Sequence, residues 1–166
     1  MASKVIVYID QFKGQAIPAS WEALGAGIKL AGQLGGEVAA LVAGEGAQAI
    51  ASQAFQYGAS QVFYSEDATL TDFRPEPYAA LVVKVVKEQG AEVLIFPTTT
   101  RGRDLAGLSA ADLGSGVMPD VTALEVQDGK VVATRPVYSG KLISQTRSSA
   151  SPQIITTRIR AFEAPQ

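Results

Sequence analysis

A layered α/β architecture on a parallel sheet is the fold class this sequence predicts, and three observations predict it. Short β-branched runs alternate four times with stretches whose apolar residues recur at three- and four-residue intervals. Each helical stretch ends at a glycine, the residue that most easily takes the left-handed conformation closing a helix. With 166 residues, 47% hydrophobic and 18% charged, the chain can bury a full core as one domain.

Lys4 to Ile9 (KVIVYI) reads as a first buried strand, followed by a polar loop from Asp10 to Ala16. Pro18, Ala19 and Ser20 open a helix in which Trp21, Leu24, Ile28 and Ala31 form one apolar stripe, stopped by Gly35 and Gly36. Glu37 to Val42 is a second strand. A Gly44-Glu45-Gly46 turn leads to a second helix with Ile50, Ala51, Ala54 and Phe55 inward and Gly58 as its stop. Gln61 to Tyr64 is a third strand. Pro75 and Pro77 then start a helix carrying Tyr78, Leu81, Val82, Val85 and Val86, closed by Gly90. Val93 to Phe96, bounded by Pro97, is a strand buried on both faces. Three threonines and Gly102 turn the chain, and from about Arg103 the spacing of Leu105, Leu108 and Leu113 marks the fourth helix.

After Gly114 the rhythm breaks. Val121 to Val126 and Val131 to Thr134 flank Asp128-Gly129, a hairpin signal. Leu142 to Arg147 and Gln153 to Arg160 supply two more strands. The expectation is a three-layer, Rossmann-like fold: a parallel core from strand–helix repeats, with antiparallel strands added to the sheet edge in the last third or folded over it as a small sheet.

Composition excludes several chemistries. Without cysteine there is no disulfide framework, thiolate zinc site or thiol nucleophile, and without histidine the commonest general base and metal ligand is missing. A formal charge of −2 argues against a nucleic-acid surface. No apolar run approaches the roughly 18 residues of a membrane span, and the first strand follows Met1 directly, so a cytoplasmic protein without membrane insertion is expected.

No GxGxxG or GxxxxGK[ST] phosphate signature is present. The strongest anion or nucleotide candidate is the loop of Thr98, Thr99, Thr100, Arg101, Gly102 and Arg103. It combines hydroxyls, a glycine that admits backbone amides and two fixed charges beside a helix N-terminus. The alternative is that the hydroxyls cap the helix while the arginines pair with Asp104, Asp112 or a partner chain. Glu66, Asp67 and Asp72 lack calcium-loop spacing and read as a solvated surface. Trp21 reads as core, and Asp120 as a turn or capping residue. Arg135, Lys141, Arg147, Arg158 and Arg160 read as charges protecting a sheet edge, with a docking surface as the other reading. No catalytic or metal-binding residue is expected.

The run TTTRGRDLAGLSAADLGSGVMPDVTALEV, then VVATRPVYSGKLISQTRS and PQIITTRIRAF, resembles the N-terminal domain of the electron transfer flavoprotein alpha subunit. KVIVYID, KLAGQLGGEVAALV and YGASQVFYSED are similar to the same domain, so the likeness covers nearly the whole chain. The resemblance implies residues 1–162 as a single α/β domain and 163–166 as the start of a linker to a C-terminal FAD domain outside this chain. It implies a heterodimer with a beta subunit that carries AMP. That assembly takes electrons from acyl-CoA or other dehydrogenases and passes them towards a quinone oxidoreductase through one FAD, bound chiefly by the C-terminal domain. The domain alone is then redox-silent, binds no cofactor and is no enzyme. It is expected to form a homodimer if its docking face is apolar. A free-standing AMP- or ATP-binding module of the universal-stress-like type is the alternative, with Thr98 to Arg103 on the phosphates and the loop after Ile9 near the adenine. An adenine nucleotide hydrolase is the third reading.

Overall fold

The computed structural model describes residues 3–166. Six strands form one sheet: β1 (Ser3–Tyr8), β4 (Glu37–Ala43), β5 (Gln61–Ser65), β6 (Val93–Pro97), β7 (Val117–Val121) and β11 (Gln153–Thr157). Their spatial order is β5-β4-β1-β6-β11-β7, and every pairing is parallel. Ile6 lies opposite Ala39 on one side and Leu94 on the other. Parallel neighbours need crossovers, supplied here by α1 (Pro18–Leu34), α2 (Ala47–Gln56), α3 (Pro75–Gln89) and α4 (Thr100–Leu113).

Side chains alternate across a strand, so the central strands feed two cores. Val5, Val7 and Ile9 join Leu24, Leu30, Ile50 and Ala54 beneath α1 and α2. Ile6 and Tyr8 join Tyr78, Val82, Val86, Leu105 and Ala106 beneath α3 and α4. Helices on both faces are what makes these strands continuously apolar rather than alternating. Gly35, Gly90 and Gly114 close α1, α3 and α4 at φ of 66°, 61° and 63°, as their positions predicted.

A separate antiparallel sheet in the order β10-β9-β8 comprises β8 (Ala123–Gln127), β9 (Lys130–Val137) and β10 (Leu142–Thr146). The β8–β9 turn is the expected Asp128-Gly129 pair, with φ of 51° and 72°, the left-handed pair of a type I′ hairpin. Gln153 ties the two sheets together. Its Oε1 accepts from Val131 N at 2.8 Å and its Nε2 donates to Val131 O at 2.9 Å, so the side chain stands in for a strand partner.

Five local readings need correction. The polar loop after β1 contains a small ribbon of β2 (Gln11–Phe12) and β3 (Gln15–Ala16). Phe55 is 54% exposed rather than inward, because Ile50, Ala51 and Ala54 already face the sheet and the next residue falls about 100° round the axis. Leu108 is exposed because the buried stripe of α4 runs through Gly102, Leu105, Ala106, Ser109 and Ala110. Val117–Val121 is a strand of the main sheet, missed because Pro119 reads as a breaker; β7 is the edge strand, where a missing N–H is tolerated. Finally, Gln153–Thr157 is no antiparallel addition: it lies parallel between β6 and β7, all five residues buried.

Candidate functional site

The order of the sheet reverses between β1 and β6, and in open α/β sheets the crevice beyond the strand ends at such a reversal is where ligands bind. Asp10 follows β1 there and Arg101 stands in the first turn of α4. The N-caps of α1 and α4, Ile17 and Thr99, face the same crevice, of about 240 Å³, with Asp10, Thr100 and Arg101. Two helix N-termini would draw an anion into this space. The anion present is the protein's own Asp10 carboxylate, 1% exposed.

Asp10 is held from both ends. Its backbone N donates to Ser20 Oγ at 2.9 Å, and Ser20 Oγ donates back to its carbonyl at 3.0 Å, so the start of α1 fixes the end of β1. Its carboxylate accepts from Arg101, Nε to Oδ1 at 2.8 Å and Nη2 to Oδ2 at 3.4 Å. The Arg101 guanidinium also lies over Phe12, 5.6 Å from the ring centroid, and Phe73, 6.0 Å. Its charge at the wall of the crevice is therefore already paired within the protein. The hydrogen bond that Arg101 donates to Asp10 raises the Arg101 pKa above its ordinary value. Burial pushes the neighbouring Tyr8 phenol well above its usual value, with Asp10 adding to it. A second cavity of about 240 Å³, which shares Asp10 and Arg101 with the crevice, is lined by Tyr8, Phe12, Lys13, Glu45, Asp72 and Tyr78 among others.

The six loop residues do not converge on one point. Thr98 donates its N to Thr157 O at 2.9 Å and its Oγ1 to Thr156 at 3.0 Å. Thr99 donates its N to Pro97 O at 2.8 Å and caps α4 by accepting from Gly102 N at 3.0 Å, so the helix starts at Thr100, earlier than expected. Gly102 sits inside the first turn, where a Cβ would collide with the Pro97 carbonyl oxygen; its bareness lets helix and strand end approach. Arg103 N donates to Thr99 O at 2.9 Å, and its exposed side chain adds to the positive field at Asp120.

Along the same rim, at the ends of β11 and β7, a second pair repeats the chemistry in the open. Arg158 donates to Asp120 Oδ2 through Nη2 at 2.6 Å and Nε at 3.1 Å. Asp120 is held at φ 55°, and its N donates to Thr156 Oγ1 at 2.8 Å. The Arg158 hydrogen bond lowers the Asp120 pKa, helped by the fields of Arg135 and Arg103. Sequence reasoning missed both aspartates as ion-pair partners; the paired charges stand 91 and 38 residues apart, and no local spacing reports them.

The other candidates have structural roles. Asp67 accepts from Thr69 N at 2.9 Å and Glu66 from Gln48 N at 2.9 Å, and no cluster of metal-ligating residues occurs among the described residues. Trp21 is half-buried, stacked on Tyr57 with centroids 4.5 Å apart. Glu163 and Pro165 lie against α1 at Gly25, where a Cβ would collide with the Glu163 carbonyl oxygen. No helix among the described residues is long and apolar enough to cross a membrane.

The sheet order, the helices on both faces and the switch-point crevice define the class: an open, doubly wound α/β domain with a small antiparallel sheet appended. The electron transfer flavoprotein domain model matches residues 5–166, and the chain belongs to that family as the N-terminal domain of an alpha subunit. It is 42% identical to protein FixB of Azorhizobium caulinodans over 98% of this chain and 45% of that protein. It is 34% identical to the electron transfer flavoprotein subunit alpha of Bacillus subtilis over 95% of this chain and 47% of that one. It is also 30% identical to the lactate dehydrogenase (NAD(+),ferredoxin) subunit LctC of Acetobacterium woodii over 98% of this chain and 39% of that one. The chain thus spans less than half the length of these relatives.

Proposed function

We propose that this chain is the platform domain of an electron transfer flavoprotein. It docks a beta subunit and supports a flavin-bearing segment while electrons pass from a dehydrogenase towards the quinone pool. The observation that carries this reading is the end-to-end match of residues 5–166 to the electron transfer flavoprotein domain. A relative named as a subunit of an NAD- and ferredoxin-linked lactate dehydrogenase supports dehydrogenases as the electron source.

In this reading the FAD is held outside residues 1–166 and AMP belongs to the beta subunit. The residues here fit neither group at the switch point. Asp10 presents a carboxylate where a phosphate would sit, the Arg101 charge is already paired with it, and the amides of Thr98, Thr99, Gly102 and Arg103 already have partners. The Thr98–Arg103 loop is then a structural clasp. The domain alone is redox-silent, since side chains are ordinarily too hard to oxidise or reduce and flavin supplies that chemistry. It works in the cytoplasm as a carrier component rather than as an enzyme.

The test is calorimetric titration of the purified chain with FAD, AMP and ATP, followed by titration with a beta subunit. The expected result is no saturable nucleotide binding and a one-to-one complex with the beta subunit. Stoichiometric FAD would overturn the assignment of the flavin to another segment. Saturable AMP or ATP without any beta-subunit complex would establish a free-standing nucleotide module instead.

A further inference from the structure

In the β9–β10 hairpin, Leu142 and Ile143 are 58% and 66% exposed, and Tyr138 at the turn is 76% exposed. Consecutive residues of a strand point to opposite faces, so the outermost strand of the small sheet carries apolar side chains on both sides. A sheet that packs one face on its own core leaves the other polar; an edge ribbon that is apolar on both faces is the feature soluble chains avoid. One flat contact would cover only one of the two faces.

The base of the same hairpin is cationic. Arg135 and Arg158 line one cavity of about 430 Å³ with Pro136, Val137 and Tyr138. Asp120 is paired with Arg158 alone, and neither Arg135 nor Arg103 makes an ion pair among the described residues. Arg158 alone takes the carboxylate, while Arg135 and Arg103 add positive field around it. Arg135 Nε is buried without a hydrogen-bond partner, and the residue as a whole is half-buried and lines the cavity, so its guanidinium is a charged group with no acceptor inside the protein and with access to one in the cavity.

We propose that this hairpin is a knob which inserts between two surfaces of the partner subunit, and that a carboxylate of that subunit enters the socket at its base to pair with Arg135. The inference rests on the reading of this chain as an alpha-subunit domain; a relative named "subunit alpha" is one chain of an assembly. Among possible occupants, a partner chain presenting an apolar cleft with an acidic lip matches both the two-sided ribbon and the surplus positive charge.

The experiment titrates the chain with the beta subunit encoded in the same genome, across a salt series. Leu142→Ser/Ile143→Ser is expected to weaken binding by at least about tenfold with the melting temperature unchanged, since both side chains are solvent-exposed. Arg135→Gln is expected to weaken binding and flatten its salt dependence. Phe55→Ser, at an exposed apolar residue on α2, is the control and should bind as the parent does. If the parent binds and the hairpin variants bind equally well, the knob falls while the subunit reading stands. If Arg135→Gln binds with an unchanged salt slope, the carboxylate socket falls. If the parent does not bind at all, the subunit reading falls and takes this inference with it.

Discussion

Two arginine–aspartate pairs stand on the same rim of one sheet and do opposite things. Arg101–Asp10 lies at the switch point, its carboxylate 1% exposed, its guanidinium between two phenylalanine rings and its backbone tied to α1 through Ser20. Arg158–Asp120 lies at the edge, with side chains 40% and 32% exposed and further arginines nearby. The chemistry is identical and the surroundings are not. Burial of Asp10 makes the first pair a tie between the end of β1 and the first turn of α4. Exposure leaves the second as part of a surface whose charge is not neutralised. At the switch point the arginine is paired inside the protein, while at the sheet edge Arg135 and Arg103 remain without an ion pair among the described residues.

The largest effect that tests this contrast comes from Arg101→Ala. It leaves the Asp10 carboxylate, 1% exposed, without its partner and should cost up to about 3–5 kcal/mol in denaturant unfolding. Removing both partners in Asp10→Ala/Arg101→Ala should recover part of that loss, because no buried charge remains; a fully additive double variant would break the argument. Gly102→Val comes next. Its side chain meets the Pro97 carbonyl oxygen, and a cost of about 1–3 kcal/mol should appear as a lower denaturation midpoint. Thr99→Ala removes the cap on α4 and should cost about 1 kcal/mol by the same measurement.

The smallest effect belongs to Asp120→Asn, which should barely shift stability at neutral pH because its pair is largely solvated. Its signature is in acid. The folded-state pKa of Asp120 is depressed by the Arg158 hydrogen bond, so its contribution is complete above the ordinary carboxylate value of ~3.9 and disappears as pH falls through the lower folded value. Denaturant midpoints measured from pH 5 downward should fall less steeply for Asp120→Asn than for the parent. Parallel curves would mean the pair contributes nothing.

Much of this molecule was legible in its sequence. The helix stops at Gly35, Gly90 and Gly114, the hairpin at Asp128-Gly129 and the continuously apolar KVIVYI and VLIF runs each follow from forces acting within a few residues. So did the alternative that the threonines cap a helix, with Thr99 as the cap. The partners of the charges were not legible. Arg101 was weighed against Asp104 and Asp112 on its own helix and found Asp10 instead, because a buried carboxylate at the end of β1 holds the guanidinium more strongly than solvated neighbours can.

What the sequence determined by itself was periodicity: which residues are strand or helix, and which faces are apolar. That the chain is an α/β domain of this family follows from those patterns in order. Only the tertiary structure decided which strands are neighbours. QIITT reads equally well as an edge or a central strand, since apolarity records burial and not the identity of the neighbour. Its place between β6 and β7 is set by the parallel pairing of Ile154 with Leu94 and Val117 and by Gln153 reaching Val131. That placement brings Asp120 to Arg158 and the hairpin out into solvent, because contacts between residues far apart in the chain are fixed by packing and loop closure rather than by local propensity.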